Sequence, residues 1–573
     1  MASLRGGFHA LSWANQLLYR RRPSWKCASC KIAPPATVRS LRQYATTSTS
    51  EGTPKSKPYY VTTPIFYVNA APHIGHLYTM VLADVLKRWR TLIGDHDAQL
   101  LTGTDEHGMK IQQAAKAAGI DTQAFCDKNC QTFKDLADAA EMDYNHFIRT
   151  TDPAHKEAVQ YFWDMLQHRG YIYTSKHEGW YSVSDETFYP QSQVHLSLDP
   201  ATGRKRMVSI ETGKEVEWSS ETNYHFRLSA FKDRLLELYE NDFITPSIYK
   251  DVVVNSVSSG LSDLSISRPV ERLSWGIPVP NDSSQTIYVW LDALVNYLTK
   301  ARYPFPPGEG SRYGWPADVH VVGKDIIRFH CVYWPAFLMA LDLPLPLNVL
   351  VHGHWTMNKE KMSKSTGNVV NPFFAIDRFG VDVMRFHMAF RGGIGSDSDY
   401  DNSYIIRDYK KHLQQGIGNI AHRTIGCAKG RLRKYIINAT TGKKHAQASD
   451  LAYEETLKKL APIVADKMEK LDPRAAIMEI VRVVSETNKY FHNAEPWKNP
   501  AEHQRVLFNT AESMRIVGIL LQPFMPNKAK EILDLFQVHP SKRGFSSAGY
   551  ASDPDYGEDI QKKILFPPLI VEE

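Results

Sequence analysis

A strand–loop–helix–strand succession between residues 59 and 108 constrains the fold most strongly. A β-rich run at residues 59–63 is followed by a helical pattern over 77–90, in which apolar residues recur every four positions. A second apolar run at 98–101 leads into the polar loop 102–108. This succession is typical of a parallel α/β sheet, in which ligands bind at the carboxyl ends of the strands.

Local patterns divide the rest of the chain. Short aromatic runs and polar turns interrupt the α/β rhythm after residue 170, and long helical patterns replace it from about residue 405. We therefore predict an α/β fold: a Rossmann-like parallel-sheet catalytic domain with a small connective insertion, followed by an all-α helical bundle. The predicted boundaries are a leader and linker at 1–57, the first catalytic half at 58–170, the insertion at 171–250, the second catalytic half at 251–345, a junction domain at 346–404 and the helical bundle at 405–573.

The amino-terminal segment has the composition of a targeting signal. Residues 1–50 contain eight Lys or Arg and no Asp or Glu, so 6 minus 8 leaves −2 for the remaining chain. An acid-free, Arg-rich segment is typical of a mitochondrial transit peptide, with cleavage predicted after Tyr44; the alternative is a disordered basic arm that binds RNA. Cys27 and Cys30 form an isolated pair without a second pair to complete a metal site. No apolar run approaches the roughly 18 residues of a membrane span, so no membrane association is expected.

The first motif that carries chemistry is His73-Ile74-Gly75-His76, which is predicted at a helix start. Gly75 would let a purine approach the backbone, and a helix amino terminus attracts phosphate. The two imidazoles could donate hydrogen bonds as charge builds on a phosphate chain. Alone, the motif is weak evidence, because histidines often serve as core residues.

The second motif, at residues 361–365, is more specific. Its lysines and serines could clamp a triphosphate on one loop, although a solvated Lys/Ser loop is the alternative. Together and in this order, the two motifs resemble the paired signatures of class I aminoacyl-tRNA synthetases. This resemblance implies catalytic roles for His73, His76, Lys361 and Lys364. It implies that ATP contacts His73, Gly75, His76, Gly323, Asp325, Lys361, Met362, Ser363, Lys364 and Ser365.

Further segments resemble the methionyl branch of that class, and the similarity covers nearly the whole chain after residue 58. The segments are 64–69, 103–108, 275–280, 288–293 and 323–326. With the leader, this implies a mitochondrial-matrix enzyme that activates methionine with ATP to methionyl-adenylate and transfers it to tRNA(Met).

The resemblance also implies a methionine pocket. An aromatic box suits the polarizable sulfur of a thioether, and Asp105 would pair with the substrate ammonium group. The residues implied for the pocket are Ile65, Tyr67, Asp105, Trp290, Ala293, Tyr297, Phe329 and His330. From the residues alone, Asp105 could instead cap a turn, and His330 and the aromatic residues could be ordinary core.

Metal expectations follow from the same resemblance. Mg²⁺ is expected with ATP, although no dedicated ligands are visible in the sequence. The insertion of roughly 80 residues is too short for the editing module of the isoleucine, valine and leucine enzymes. Many methionyl relatives carry Cys-rich zinc knuckles, but residues 131–330 contain no cysteine. We therefore predict no structural zinc, and we interpret Cys126 and Cys130 as buried thiols.

The helical region predicts an RNA partner. Asn419 and Arg423 stand four residues apart on a predicted helix, and with Trp497 they match the family's readers of the CAU anticodon; a solvated face and a core tryptophan are the alternatives. Residues 405–450 contain ten basic and two acidic residues, as expected for contact with a tRNA backbone or, alternatively, for a soluble helix face.

We also expect a monomer, because the chain ends soon after the helical region. Two alternative functions remain open at this point. One is a synthetase for another apolar amino acid. The other is a non-catalytic RNA-binding protein on a synthetase scaffold, which the two intact motifs argue against.

Overall fold

The computed structural model describes residues 57–183, 187–199, 203–306, 308–362, 368–441, 447–558 and 560–569. These residues belong to one compact unit, Lys57–Glu573. The predicted transit peptide, its cleavage site and the Cys27/Cys30 pair lie outside the described residues.

The first part of the chain alternates strands and helices, as predicted. Its elements are β1 (Tyr60–Thr62), β2 (Phe66–Tyr67), α1 (Ile74–Leu92), β3 (Gln99–Asp105), α2 (Met109–Ala118), α3 (Thr122–Ala139), β4 (His146–Arg149) and α4 (Pro153–His168). The helix predicted over 77–90 is α1, which begins three residues earlier because His73 caps it.

The middle part contains the antiparallel strands of the insertion and the return of the α/β pattern. Its elements are β5 (Ile172–Ser182), β6 (Thr187–Tyr189), β7 (Val194–Leu198), β8 (Lys205–Ser209), β9 (Glu217–Phe226), α5 (Lys232–Leu238), β10 (Ile244–Thr245), α6 (Ser247–Ser258), β11 (Leu264–Ser265), β12 (Ser267–Pro269), β13 (Pro278–Val279), β14 (Asp282–Ile287), α7 (Val289–Lys300), β15 (Val319–Gly323), α8 (Trp334–Ala340), β16 (Asn348–His352), β17 (Trp355–Met357) and β18 (Glu360–Lys361). The longest antiparallel pair of the predicted insertion is formed by β5 and β9.

The last part is almost entirely helical. Its elements are α9 (Pro372–Phe379), α10 (Val381–Arg391), β19 (Ser398–Asp399), α11 (Asn402–Asp408), a π-helix (Tyr409–Gly418), α12 (Asn419–Ala428), α13 (Leu432–Thr440), α14 (Ala448–Glu469), α15 (Pro473–Ala494), α16 (Gln504–Leu521) and α17 (Pro526–Leu535). Every residue of α16 from Val506 to Leu521 is buried, so this helix forms the centre of the bundle.

A parallel sheet organises the α/β region. Its order is β10-β16-β15-β1-β3-β2, with β4 also paired to β3, and all these pairs are parallel. Tyr60 and Val61 are fully buried but belong to separate hydrophobic clusters. Successive strand side chains point to opposite faces, so the sheet is covered on both sides. This confirms the predicted Rossmann-like architecture.

A buried arginine ties the α/β region to the helical bundle. The Arg385 guanidinium on α10 lies 2.5 Å from the Asp84 carboxylate on α1. It also donates to the backbone carbonyls of Ala140, Pro523 and Phe524 at 2.9–3.1 Å. Removing one partner of such a pair typically costs about 3–5 kcal/mol, so this joint fixes α1 against the bundle.

Candidate functional site

The amino terminus of α1 is built from the first motif. The His73 side chain accepts a hydrogen bond from the Gly75 N–H at 3.1 Å, and His76 Nδ1 accepts from the His73 N–H at 3.0 Å. The two rings stack with their centroids 3.9 Å apart. A Cβ added to Gly75 would lie 2.9 Å from the His73 ring, so a larger residue at this position would displace that ring.

This terminus opens into a cavity of about 280 Å³ at the carboxyl ends of the parallel strands. The cavity brings together most of the residues that the sequence proposed for ATP and methionine. Those lining it are Ile65, Tyr67, His73, Gly75, His76, Asp105, Trp290, Ala293, Tyr297, Gly323, Asp325, His330 and Met362. Phe329 does not line it but stacks on Trp290, with ring centroids 3.5 Å apart.

The second motif is described only in part. Met362 lines the cavity, so the segment that carries this motif reaches the same space as His73 and His76. The side chain of Lys361 and residues Ser363, Lys364 and Ser365 lie outside the described residues.

Neutral hydrogen bonds hold the end of the cavity at which the sequence predicts methionine binding. The Tyr297 hydroxyl lies 2.7 Å from His330 Nε2, and His330 Nδ1 lies 3.0 Å from the Ile326 carbonyl. A carbonyl only accepts, so Nδ1 carries the proton and Nε2 accepts from Tyr297. Burial lowers the pKa of His330 to about 4, which keeps this imidazole neutral at physiological pH.

The strand predicted over 98–101 extends to Asp105, the last residue of β3. Behind this strand end lie two buried ionic groups whose pairing no sequence pattern indicated. Glu106 accepts from Arg149 at 2.7 and 2.9 Å. Asp292 lies 2.6 Å from His107 and 2.8 Å from His155. Burial alone would raise the pKa of Asp292, but the two imidazoles outweigh it and lower that pKa. These contacts hold the loop after β3 against α4 and α7.

A second group of polar contacts surrounds Asp325, at the end of the cavity where the sequence predicts nucleotide binding. His354 Nε2 lies 3.1 Å from an Asp325 carboxylate oxygen. The His354 backbone N–H donates to Asp397 at 2.9 Å, and Lys324 pairs with Asp397 at 2.7 Å. No sequence pattern singled out His354 or Asp397, because their partners are distant along the chain.

The cysteines behave as the sequence predicted. Cys126 and Cys130 are free and buried on α3, and burial raises the pKa of Cys126 to about 12.

Within the described ranges, no group of three His, Cys, Asp or Glu side chains is arranged to hold a metal ion. In the same part of the chain, no helix has the length and apolar character needed to cross a membrane.

The second predicted site lies on the helical bundle. The Arg423 guanidinium lies 4.6 Å from the Phe491 ring centroid and 4.9 Å from that of Trp497. Trp497 is 40% exposed, and Asn419 is exposed on the same helix as Arg423. The exposed basic residues of the surrounding segment are Arg407, Lys410, Lys411, Lys429, Arg431 and Lys434. This surface combines stacking rings with positive charge, as RNA contacts require.

Known proteins resemble most of this chain in sequence and in fold. The family model described as tRNA synthetases class I (M) matches residues 59–425. A probable mitochondrial methionine–tRNA ligase of Neurospora crassa is 51% identical, covering 96% of this chain and 92% of the relative. Its namesake in Schizosaccharomyces pombe is 47% identical over 87% of this chain and 93% of the relative. The solved Mycobacterium tuberculosis methionyl-tRNA synthetase in complex with methionyl-adenylate is 37% identical, with a TM-score of 0.82, covering 89% of this chain and 100% of that one. This chain belongs to the class I methionyl-tRNA synthetase family.

Proposed function

We propose that the chain is a mitochondrial methionine–tRNA ligase, which activates methionine with ATP and transfers the methionyl group to tRNA(Met). The observation that carries the proposal is the cavity at the strand ends. A phosphate-attracting helix terminus borders it on one side and an aromatic wall on the other. Its size suits a small ligand held mostly by apolar contacts with a few polar anchors.

In the first step, a methionine carboxylate oxygen attacks the α-phosphorus of ATP, and the bond to the bridging oxygen breaks. Pyrophosphate leaves and methionyl-adenylate forms, so no proton transfer and no protein nucleophile are needed. His73 and His76 would stabilise the charge that develops on the phosphate oxygens, as would Lys361 and Lys364.

Two features support methionine as the amino acid. Asp105, buried at the end of β3, is suited to pair with the substrate ammonium group. The neutral Tyr297–His330 pair and the Trp290 ring offer aromatic and weakly polar surface to a thioether. Gly323 and Asp325 border the nucleotide end, where a carboxylate could accept from ribose hydroxyls.

In the second step, the 2′-hydroxyl oxygen of the terminal tRNA adenosine attacks the methionyl carbonyl carbon. The bond from that carbon to the phosphate oxygen breaks, AMP leaves, and the hydroxyl proton passes to solvent. Trp497 would stack on an unpaired anticodon base while Asn419 and Arg423 contact base edges. The exposed basic residues of the helical region would contact the tRNA backbone.

Mg²⁺ would enter with ATP, because Mg²⁺ is commonly held by substrate phosphates and water rather than by an all-protein cage. Metal analysis of the purified protein tests the prediction that it carries no structural zinc. The monomeric state and the matrix location are further proposals, to be tested by sedimentation and by mitochondrial fractionation.

Methionine-dependent pyrophosphate–ATP exchange, compared across a panel of apolar amino acids, tests the proposed function. We expect methionine to support exchange far better than isoleucine, leucine or valine. Preferential exchange with another amino acid would favour a different synthetase specificity. Background exchange with every amino acid would instead favour a non-catalytic RNA-binding role.

A further inference from the structure

Asn419, one of the residues proposed to read the anticodon, is tied to a second asparagine that no sequence pattern indicated. Asn419 Nδ2 donates to Asn488 Oδ1 at 3.1 Å. Asn488 Nδ2 in turn donates to the backbone carbonyls of Gly416 at 3.1 Å and Val484 at 3.0 Å. The backbone of two helical segments therefore holds the Asn488 amide, and the Asn488 amide holds the Asn419 amide.

This relay allows only one polarity. Two carbonyls can be satisfied only by N–H groups, so the NH₂ of Asn488 must face them and its oxygen must face outward. An oxygen only accepts, so the NH₂ of Asn419 must face Asn488. The Oδ1 of Asn419 and its second N–H remain available, and neither has a hydrogen-bond partner among the described residues.

The local backbone is unusual at this point. Asn419 directly follows the π-helix Tyr409–Gly418, and the Asn419 N–H contacts the carbonyls of Gln414 and Gly416. π-Helical turns are rare and occur frequently at functional sites. Asn419, Arg423 and Asn488 line a groove of about 520 Å³ between the π-helix and α15, so the relay lies within an accessible depression.

Building on the function proposed above, we propose that Asn488 is a positioning residue for anticodon reading. It fixes Asn419 so that Oδ1 accepts a hydrogen bond from an amino group on the bound base. In the CAU anticodon, the first and second bases, cytosine and adenine, each carry an exocyclic amino group. Uracil and hypoxanthine carry a carbonyl oxygen at the corresponding positions. This oxygen only accepts hydrogen bonds, so it could not form one with Asn419 Oδ1.

The test measures charging of tRNA transcripts that differ only in this group. The transcripts carry CAU, uracil as the first anticodon base, or hypoxanthine as the second. In Asn488→Leu the Asn419 amide can rotate. The preference for a base that carries an amino group over one that carries a carbonyl oxygen should therefore fall about tenfold at one of the two anticodon positions. Most of this change should appear in KM for tRNA. Methionine-dependent pyrophosphate exchange should stay unchanged. Preferences equal to those of the wild type at both positions would overturn the proposal.

A double-mutant cycle separates positioning from packing. Asn419→Ala removes the reader, so adding Asn488→Leu should cause no further loss of charging if Asn488 acts through Asn419. Additive losses would mean that Asn488 only packs helices, and would overturn the proposal. Asn438→Leu is the matched control, because it breaks a 2.9 Å amide–amide bond to Gln504 elsewhere in the bundle. We expect it to lower thermal stability without changing the base preferences.

The outcomes also separate this inference from the proposed function. Exchange activity with unaltered base preferences in Asn488→Leu would remove the inference alone. Absence of methionine-dependent exchange in the wild type would remove the proposed function. Fluorescence anisotropy measures the direct binding of anticodon stem-loops that carry the same base changes. It therefore gives the base preferences whether or not the protein shows exchange activity.

Discussion

The cavity of the α/β region and the surface of the helical bundle differ in how their side chains are held. Behind the cavity, chain segments far apart in sequence meet through buried contacts, such as the Asp292 carboxylate between His107 and His155. On the bundle, Arg423 and Trp497 contact each other, and 40% of Trp497 remains exposed. The proposed site for small substrates is thus held in place by buried contacts, whereas the proposed RNA surface keeps an aromatic ring exposed for stacking.

This difference affects how mutations are interpreted. Breaking a buried ionic contact typically costs about 3–5 kcal/mol, which is comparable to the whole stability of many domains. Variants behind the cavity will therefore combine losses of folding and of function. Variants at the cavity edge or on the bundle surface report more directly on chemistry or recognition.

The largest effect is expected for Lys364→Ala. If this lysine acts on developing phosphate charge, pyrophosphate exchange should fall by ~10²-fold or more, while methionine affinity changes little. Exchange kinetics and a fluorescence titration with methionine measure the two quantities. Lys359→Ala, at an exposed lysine five residues earlier, is the control and should keep near-normal exchange. A parallel loss of methionine binding in Lys364→Ala would contradict the assigned role.

The second effect concerns the bundle surface. Trp497→Ala should reduce kcat/KM for tRNA charging by roughly 30-fold, because stacking on one base contributes ~1–3 kcal/mol. Amino-acid activation should stay intact, since Trp497 lies on the helical bundle rather than in the cavity. Charging and exchange assays on the same preparation separate the two activities. If both fell together, Trp497 would be a packing residue, and the contrast between the two regions would be lost.

Most of the fold can be predicted from local patterns in the sequence. The strand before His73, the helix after it and the mostly helical character of the chain after about residue 405 follow from apolar spacing, which depends only on neighbouring residues. Apolar spacing alone places the start of α1 three residues too late, because the helix begins at the motif, where His73 and His76 form the cap.

The supporting contacts were not predictable in this way. Asp292 pairs with His107 and His155, which precede it by 185 and 137 residues, and no spacing rule links such positions. Phe329 illustrates a related limit: the family resemblance assigned it to the pocket, but the structure stacks it on Trp290, which lines the cavity. The contact between Asn488 and Asn419 could not be predicted either, because it depends on the hydrogen bonds from Asn488 to backbone carbonyls.

The third effect tests burial in the cavity through pH. His330 has a folded-state pKa of about 4 against an ordinary 6.5, so below pH 6.5 the unfolded chain binds a proton that the folded chain does not. Stability should therefore fall as the pH drops from 6.5 towards 4, by about 1.4 kcal/mol per pH unit for this group. In His330→Gln, the urea midpoint should depend less steeply on pH over that range. Parallel pH profiles for the two proteins would mean that His330 is not kept neutral by burial.

The smallest effect is expected at the proposed nucleotide end. The His354 and Asp325 side chains are 21% and 55% exposed, and a contact between partly exposed polar side chains contributes only ~0–1 kcal/mol. His354→Phe should therefore raise KM for ATP about threefold and leave KM for methionine unchanged. Replacing ATP with 2′-deoxy- and 3′-deoxy-ATP sharpens the measurement, because the defect should shrink with the analogue that lacks the hydroxyl bound by Asp325. A defect of equal size with ATP and both analogues would show that His354 acts elsewhere than through Asp325. A defect larger than that of Trp497→Ala would mean that the nucleotide end depends on its polar contacts as strongly as the buried methionine end does.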